Sequence, residues 1–463
     1  MLDGLIIDCF CGGGGATEGI EQALGRAVDI GVNHDKEAIR LHMVNHPETL
    51  HLTEDIFTVD LEKYVAGRHV ALMWASPDCT QFSKAKGGKP REHGIRILPW
   101  AVHKHASKIK PDIIIMENVE EIQQWGALDE GGRPIEADKG KEYERFMQAM
   151  HDIGYEYQSR ELVAADYGAP TTRKRWYAVF RRDGKKITFP QQTHAKEADL
   201  FHEKWVPVST CLDFEDLGKS IFDREKPLAD NTMKRIARGI EKFVVKNRDP
   251  FIVPIGYGEN KNQKPRVNSI HEPLGTIVAA GVKHYLCTPY LIQYHSETVN
   301  HEVRGQLVNE PIKTIDTSNR YGLASMFITK FYKSGTGQGI DEPLHTITTS
   351  PGHFGLVSAF LTKYYGSGVS CQGCDEPLAT ITTKDRFGMC SVLIDQNGEE
   401  YAIADIYLRM LKPEELKLAQ GFPKKYIIDH DIDGRQISKK EQVAKIGNSV
   451  VPCMAKALVL ANA

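Results

Sequence analysis

Up to about residue 185 the chain alternates short apolar runs with longer helix-like stretches, and this alternation constrains the fold more than any other feature. Leu5–Phe10 predicts a buried strand, followed by a glycine cluster and a helix through Ala16–Leu24. Val28–Val32 predicts a second strand, and Lys36–Asn45 a helix stopped by Pro47. Val70–Ala75 and Asp112–Met116 read as strands, with helices over Ile97–Ile109 and Glu142–His151. Tyr155–Leu162 and Arg175–Arg181 close the series. Strand–helix alternation of this kind implies an α/β fold, Rossmann-like, with a mostly parallel sheet covered on both faces. Such sheets bind ligands beyond their strand C-termini. Chemistry is therefore expected in the loops after Phe10, Val32, Ala75 and Met116.

From residue 188 to 404 helical periodicity fades and an internal repeat emerges. Asp341-Glu342-Pro343-Leu344 returns as Asp375-Glu376-Pro377-Leu378, with weaker copies at His271 and Asn309. Phe327-Ile328-Thr329-Lys330 likewise matches Phe360-Leu361-Thr362-Lys363. Alternating Thr and aromatic residues at a repeating interval predict stacked β-rich units. From Asp405 to Ala463 the chain turns helical again, beginning at Pro413-Glu414-Glu415, a favourable first turn. The expected division is thus 1–187, 188–404 and 405–463.

Composition narrows the function. Lys and Arg total 58 against 61 acids, for a formal charge of −3, which excludes a uniformly basic coat. Local asymmetry is strong all the same. Lys84–Lys110 carries eight basic residues and one acid, Glu92, and Met233–Asn268 carries nine against three. The N-terminal segment Met1–Gly4 lacks the basic residues of a secretory signal, and no apolar run reaches the ~18–20 residues of a membrane span. Nine scattered cysteines fit reduced thiols better than a disulfide framework. The expectation is a cytoplasmic protein that does not engage a membrane.

Four clusters carry candidate chemistry. Asp8-Cys9-Phe10-Cys11-Gly12-Gly13-Gly14-Gly15 lies between a strand and a helix, where glycines admit a ligand close to the backbone. It lacks the Lys-Ser/Thr of a phosphate-cradling loop; a nucleotide or a nucleoside-like cofactor fits these residues equally well, and a tight turn without a ligand is the lesser alternative. Cys79, in Ser76-Pro77-Asp78-Cys79-Thr80, follows an apolar strand and is placed as a nucleophile beside the first basic segment. That juxtaposition suggests a polyanionic substrate. Glu117, in Met116-Glu117-Asn118-Val119, offers a carboxylate at a strand end, suited to general acid catalysis. Arg173 and Arg175, two apart on an extended chain, face one side and suit phosphate or carboxylate recognition, or simply a solvated surface. Metal is not expected. Cys371 and Cys374 lack a second ligand pair, and His42 and His46 lack a glutamate between them.

Taken in order, these segments resemble the C5-cytosine-specific DNA methyltransferase family. The glycine turn is similar to the family's first motif, Pro77-Asp78-Cys79 to its nucleophile loop, and Glu117-Asn118-Val119 to its Glu-Asn-Val motif. Arg173 and Arg175 match its Arg-x-Arg; Gln420-Gly421-Phe422-Pro423 and Gly447-Asn448-Ser449-Val450-Val451-Pro452 match the last two motifs. The resemblance covers about residues 3–185 and 405–460, and 188–404 occupies the place of the target recognition domain. It implies S-adenosyl-L-methionine as cofactor, held by Phe10, Gly12, Gly14, Asp55, Ile56, Asn448 and Val450. It also implies a catalytic set of Cys79, Glu117, Arg173 and Arg175, and double-stranded DNA as partner. The same likeness is compatible with a cognate restriction endonuclease and with a prokaryotic or virally encoded setting, associated with the nucleoid through DNA, but does not decide whether such a nuclease exists or whether the gene is solitary or viral. Oligomeric state and target sequence do not follow from it.

Four positions depart from the family pattern. Asp78 stands where Pro usually precedes the nucleophile, Thr80 where Gln often follows, and Thr171 where Gln usually precedes the arginines. Asn33 stands at the ribose-binding acid, with Asp35 close by. None removes a group the chemistry needs, which weighs against a catalytically inactive DNA-binding protein of the same fold. The large insert weighs against the branch of the family that methylates RNA.

Overall fold

The computed structural model describes residues 2–78, 97–213, 216, 225 and 411–463, and between 219 and 410 the backbone of eleven further strands. Its first sheet is built from β1 (Leu5–Cys9), β2 (Ile30–Val32), β3 (Leu50–Leu52), β4 (Val70–Ala75), β5 (Ile113–Asn118), β6 (Glu156–Val163) and β7 (Lys174–Arg181). The spatial order is β3-β2-β1-β4-β5-β7-β6. The first five strands run parallel, while β7 runs antiparallel to both β5 and β6. β1, β4 and β5 are buried along their whole length, which is why they read as continuous apolar runs. β6, at the sheet edge, is mostly exposed and carries Glu156, Arg160 and Glu161, charges that blunt an open edge.

Helices cover both faces. On one, α4 (Leu98–Ile109) and α5 (Lys141–Asp152) pack Ala101, Val102, Phe146 and Met150 against Ile7, Met73 and Ile114. On the other, α1 (Gly15–Leu24) lies beside a helix from the far end of the chain, α8 (Pro452–Asn462). Ile20, Met454, Ala455 and Leu458 share a core there with Ile6, Trp74 and Ile115. The returning segment also supplies α6 (Pro413–Ala419) and α7 (Lys439–Asn448); α2 (Lys36–Asn45) and α3 (Leu61–Val65) complete the described helices. Residues Lys439–Asn462 have the length and mean hydropathy, 1.4, of a membrane span. They are nonetheless two helices broken at Ser449–Val451, and α8 is a core element of the sheet domain.

The α1–α8 contact depends on missing side chains. A Cβ on Gly15 would lie 2.0 Å from the Val450 carbonyl oxygen, and one on Gly19 2.2 Å from that of Pro452. Both obstacles are backbone, so neither can swing aside. Gly15→Ala is therefore expected to destabilise the fold by about 1–3 kcal/mol, the usual range for overpacking. Urea unfolding of the variant beside the parent protein measures it.

The segments that flank the second sheet are clamped together. Glu415 Oε1 accepts from the Asp213 N–H at 2.8 Å, and Lys412 pairs with Asp213 at 2.7 Å and Asp216 at 3.1 Å. The second sheet extends through Glu399–Met410, and the chain rejoins the first domain's buried layers at Leu411. Within this second sheet Tyr321–Lys330 and Phe354–Lys363 pair antiparallel. Gly322 lies opposite Thr362 and Thr329 opposite Gly355, so the two copies of the repeat face each other about a local pseudo-twofold. The Asp-Glu-Pro units, Cys371, Cys374 and most of Met233–Asn268 lie outside the described residues.

Candidate active site

The parallel strands end at one edge, and the catalytic carboxylate predicted from sequence sits on it. Glu117 is the penultimate residue of β5, and the antiparallel register sets it opposite Tyr177, bringing the start of β7 alongside. Arg175 Nε lies 3.3 Å from Glu117 Oε1, and Arg173 Nη2 lies 3.9 Å from the same oxygen. All three residues are buried. The Arg175 approach is a charge contact rather than a directed hydrogen bond, because neither Oε1 nor that Nε has an aligned partner among the described residues. A buried carboxylate oxygen held near two guanidinium groups yet lacking a hydrogen bond is a candidate contact for a bound group. Arg173 Nη1 also donates to the Gly447 carbonyl at 3.0 Å, which ties the end of α7 to this cluster.

Asn118, quoted in the Glu-Asn-Val motif but given no role of its own there, joins the carboxylate to the nucleophile segment. Its Nδ2 donates to the Pro77 carbonyl at 3.0 Å while its Oδ1 accepts from the Val119 N–H at 2.9 Å. The chain leaving β4 is thereby fastened to the end of β5 two residues before Cys79. Cys79 itself, Thr80 and the basic stretch up to Arg96 lie outside the described residues.

The cofactor candidates separate into two groups. Phe10 adopts a positive φ of 71°, rare and costly for a residue with a side chain, and its N–H donates to the Val32 carbonyl at 2.9 Å. Gly12 also has positive φ, 50°, and a Cβ placed there would meet nothing closer than Phe10 O at 3.6 Å. This open position, together with the strained Phe10 beside it, fits a nucleoside-like ligand seated over the turn. Asn33 follows β2 and Asp55 follows β3, so both residues lie at the same end of the sheet. Asp55 is exposed, and its Oδ1 accepts from the Phe57 N–H at 2.7 Å. Asn448 is exposed at the end of α7.

Gly14, Val450, Ile56 and Asp35 have other duties in the structure. A Cβ on Gly14 would lie 2.0 Å from the Tyr426 hydroxyl, and Val450 is core, its carbonyl against Gly15. The Ile56 side chain is buried, and its carbonyl accepts from His105 Nε2 at 2.7 Å. Asp35 caps α2, accepting from the Glu37 and Ala38 N–H groups, and also pairs with Lys445. Lys445 pairing and these backbone bonds hold its carboxyl below the ordinary range against the opposing effect of desolvation, which is the largest single influence.

A buried polar chain runs beneath the glycine turn, with no counterpart in the sequence reading beyond the His42–His46 spacing. Thr17 Oγ1 donates to Asp8 Oδ2 at 2.7 Å, so His42 Nε2 must donate to Thr17, 2.9 Å away. His42 Nδ1 then accepts from His51 Nε2 at 2.8 Å. This tautomer suits a neutral ring, and burial pushes His42 well below its ordinary pKa. Alongside, Tyr426 donates to the Gly13 carbonyl at 2.8 Å, and His46 bonds both Tyr426 and Glu21.

Burial raises the Asp8 carboxyl from 3.8 to about 7, and its Oδ1 has no partner among the described residues. The folded pKa exceeds the unfolded one, so the stability Asp8 confers is complete below pH 3.8 and lost as pH rises to about 7. That loss is on the order of 4 kcal/mol at roughly 1.4 kcal/mol per unit. Asp8→Asn keeps an acceptor for Thr17 but cannot ionise. Its melting temperature should change less between pH 5 and 8 than the parent's, and calorimetry across that range checks this.

A doubly covered, mostly parallel sheet, with an open turn after β1 and a guanidinium-flanked carboxylate after β5, defines an α/β protein of Rossmann-like methyltransferase architecture. The chain belongs to the C-5 cytosine-specific DNA methylase family, which it matches over residues 5–461. It is 27% identical over 220 residues to Type II methyltransferase M.AquIA of Picosynechococcus sp., covering 45% of this chain and 86% of that protein. With Type II methyltransferase M.AgeI of Thalassovita gelatinovora it shares 30% identity over 194 residues, 41% of this chain and 42% of that one. The alignment thus spans less than half of the second relative's length. A crystal structure of a DNMT2 mutant from Spodoptera frugiperda superposes with a TM-score of 0.50 at 14% identity, covering 99% of each chain, a likeness of fold alone.

Proposed function

We infer that this protein transfers a methyl group from S-adenosylmethionine to C5 of a cytosine flipped out of double-stranded DNA. The observation that carries the reading is Glu117, a buried carboxylate with an unbonded oxygen, fixed through Asn118 to the segment that leads into Cys79. Cytosine C5 is a poor nucleophile until electrons are pushed into the ring. In the proposed route the Cys79 thiolate adds to C6 while Glu117 hydrogen-bonds or protonates N3. The ring electrons shift to make C5 an enamine carbon. S-adenosylmethionine, when bound, would supply the methyl group that C5 takes up, the S–CH3 bond breaking to leave the neutral thioether S-adenosylhomocysteine. Loss of the C5 proton then restores the double bond and expels Cys79 as thiolate.

Arg173 and Arg175 orient the Glu117 carboxylate, and Arg175 is assigned to the base or its phosphate. The target atoms are inaccessible inside a duplex, so the base must leave the stack, at a few kcal/mol. Residues 188–404 take the role of the target recognition domain. Phe10, Gly12, Asn33, Asp55 and Asn448 line the edge assigned to the cofactor. The Type II designation of both relatives supports a restriction–modification setting with an endonuclease acting on the same site. Expression in a methylation-free bacterial host, followed by sequencing of methylated cytosines, tests the reading. A single recurring sequence context carrying 5-methylcytosine is expected; a genome without 5-methylcytosine would overturn it.

A further inference from the structure

The hydrogen bonds beneath the glycine turn require one proton more than a neutral histidine and an ionised glutamate can supply. Tyr426 has a single hydroxyl proton, and the Gly13 carbonyl, 2.8 Å away, can only accept it. Burial holds that hydroxyl well above its ordinary pKa, so the proton stays in place. The Tyr426 oxygen therefore meets His46 Nε2, 3.1 Å away, as an acceptor, and the ring nitrogen must donate. A neutral ring has no second N–H. Yet His46 Nδ1 lies 2.9 Å from Glu21 Oε2, and two bare acceptors do not approach that closely without a proton between them. The other carboxylate oxygen, Glu21 Oε1, accepts from the Val28 N–H at 3.3 Å. The His46–Glu21 pair thus holds the extra proton, either as imidazolium with carboxylate or as imidazole with carboxylic acid.

The surroundings of the pair are crowded with groups that can titrate. Glu18, three positions before Glu21 on α1, brings a carboxylate oxygen within 4.8 Å of both partners. The His42 ring on α2 lies 4.5 Å from that of His46, centroid to centroid, and donates to Thr17 as a neutral ring. His42, and His51 on β3, are both pushed down, first by burial and then by His46. Asp8 on β1 and Cys11 in the turn face the Tyr426 hydroxyl. These are the titratable groups around the cluster among the described residues.

We propose that Glu21 and His46 are positioning residues for the cofactor turn: the proton they share keeps Tyr426 donating to the Gly13 carbonyl, and its loss as pH rises releases the turn that presents Phe10 and Gly12. The proposal rests on the S-adenosylmethionine reading above. A ring left with one N–H turns it toward the carboxylate, because a charge-assisted bond is the stronger of the two on offer. Nε2 then becomes an acceptor and draws the Tyr426 proton away from Gly13. Glu21→Gln removes the need for the extra proton. The Val28 N–H selects the amide oxygen at the Oε1 position, so the amide NH2 faces His46 and donates to a neutral Nδ1. Nε2 still donates to Tyr426, and Tyr426 to Gly13.

The test is calorimetric titration of the full-length protein with S-adenosylhomocysteine at pH 6 and pH 9, for the parent, Glu21→Gln and Tyr426→Phe. Thermal unfolding at each pH confirms that the proteins are folded. The Asp8 carboxyl and the ligand's amino group are common to all three, so the comparison between proteins carries the result. From pH 6 to pH 9 the parent is expected to lose about tenfold more affinity than Glu21→Gln, the effect of one buried hydrogen bond. Tyr426→Phe lacks the bond to Gly13 at any pH. It is expected to bind about tenfold more weakly than the parent at pH 6 and to share the flatter profile. Equal pH dependence of the parent and Glu21→Gln, or a Tyr426→Phe protein that binds like the parent at pH 6, overturns the role of the pair while leaving the cofactor reading intact. Failure of all three proteins to bind S-adenosylhomocysteine at either pH overturns both.

Discussion

Cys79→Ala is expected to abolish methyl transfer, lowering turnover by about 10⁴-fold or more, because no other group in the proposed route can push electrons into the cytosine ring from C6. A serine in its place should do little better. Its hydroxyl is far less ionised than a thiol near neutral pH, and no base has been assigned to activate it. Binding of S-adenosylhomocysteine should survive in both variants, since the edge proposed for the cofactor lies at the ends of β1–β3 and the cysteine follows β4. Transfer of tritiated methyl groups to DNA, measured beside calorimetric binding, separates chemistry from affinity. Retention of more than about one hundredth of the activity would remove Cys79 from the mechanism, given the size of effect expected for a nucleophile.

Glu117→Gln is expected to lower turnover by about 10²–10⁴-fold, the range for loss of general acid assistance. Glutamine has nearly the same shape, but it neither carries a proton to N3 nor balances Arg173 and Arg175. Two buried guanidinium groups would then face a neutral amide at the positions where one now lies 3.3 Å from a carboxylate oxygen. Removing one partner of a buried charge cluster also costs stability. The variant's melting temperature must therefore be measured with its activity. A well-folded Glu117→Gln protein with undiminished turnover would contradict the assigned role.

Much of this site was legible because its parts are local. β1, β4 and β5 are buried on both faces, so they appear as apolar runs, and the residues just after each run are where ligands meet such a sheet. Glu117, Arg173 and Arg175 were recognisable as candidates, and antiparallel pairing of β5 with β7 brings them together. What the sequence hid is set by partners far along the chain. The glycine run resembles a ligand turn throughout, yet Gly13, Gly14 and Gly15 make room for Ser449, Tyr426 and Val450. The Tyr426–Gly13 bond spans 413 positions, and no local pattern announces it. Asp35 reads as a spare acid near the ribose position until Lys445 is found beside it. His42 and His46 look like an isolated pair four apart, whereas their bonds reach Thr17, His51, Glu21 and Tyr426 on other elements. The nucleophile remains a reading of the sequence, since Cys79 lies outside the described residues.

The most direct test of the account is covalent capture. DNA carrying 5-fluorocytosine at the methylated position cannot lose a proton from C5 after methyl transfer, so the enzyme–base bond formed earlier in the route should persist. Incubation with S-adenosylmethionine is predicted to give a denaturant-resistant protein–DNA complex, with the modified peptide mapping by mass spectrometry to Cys79. The absence of a complex on a DNA sequence shown to be methylated, or attachment through any other residue, would contradict the account.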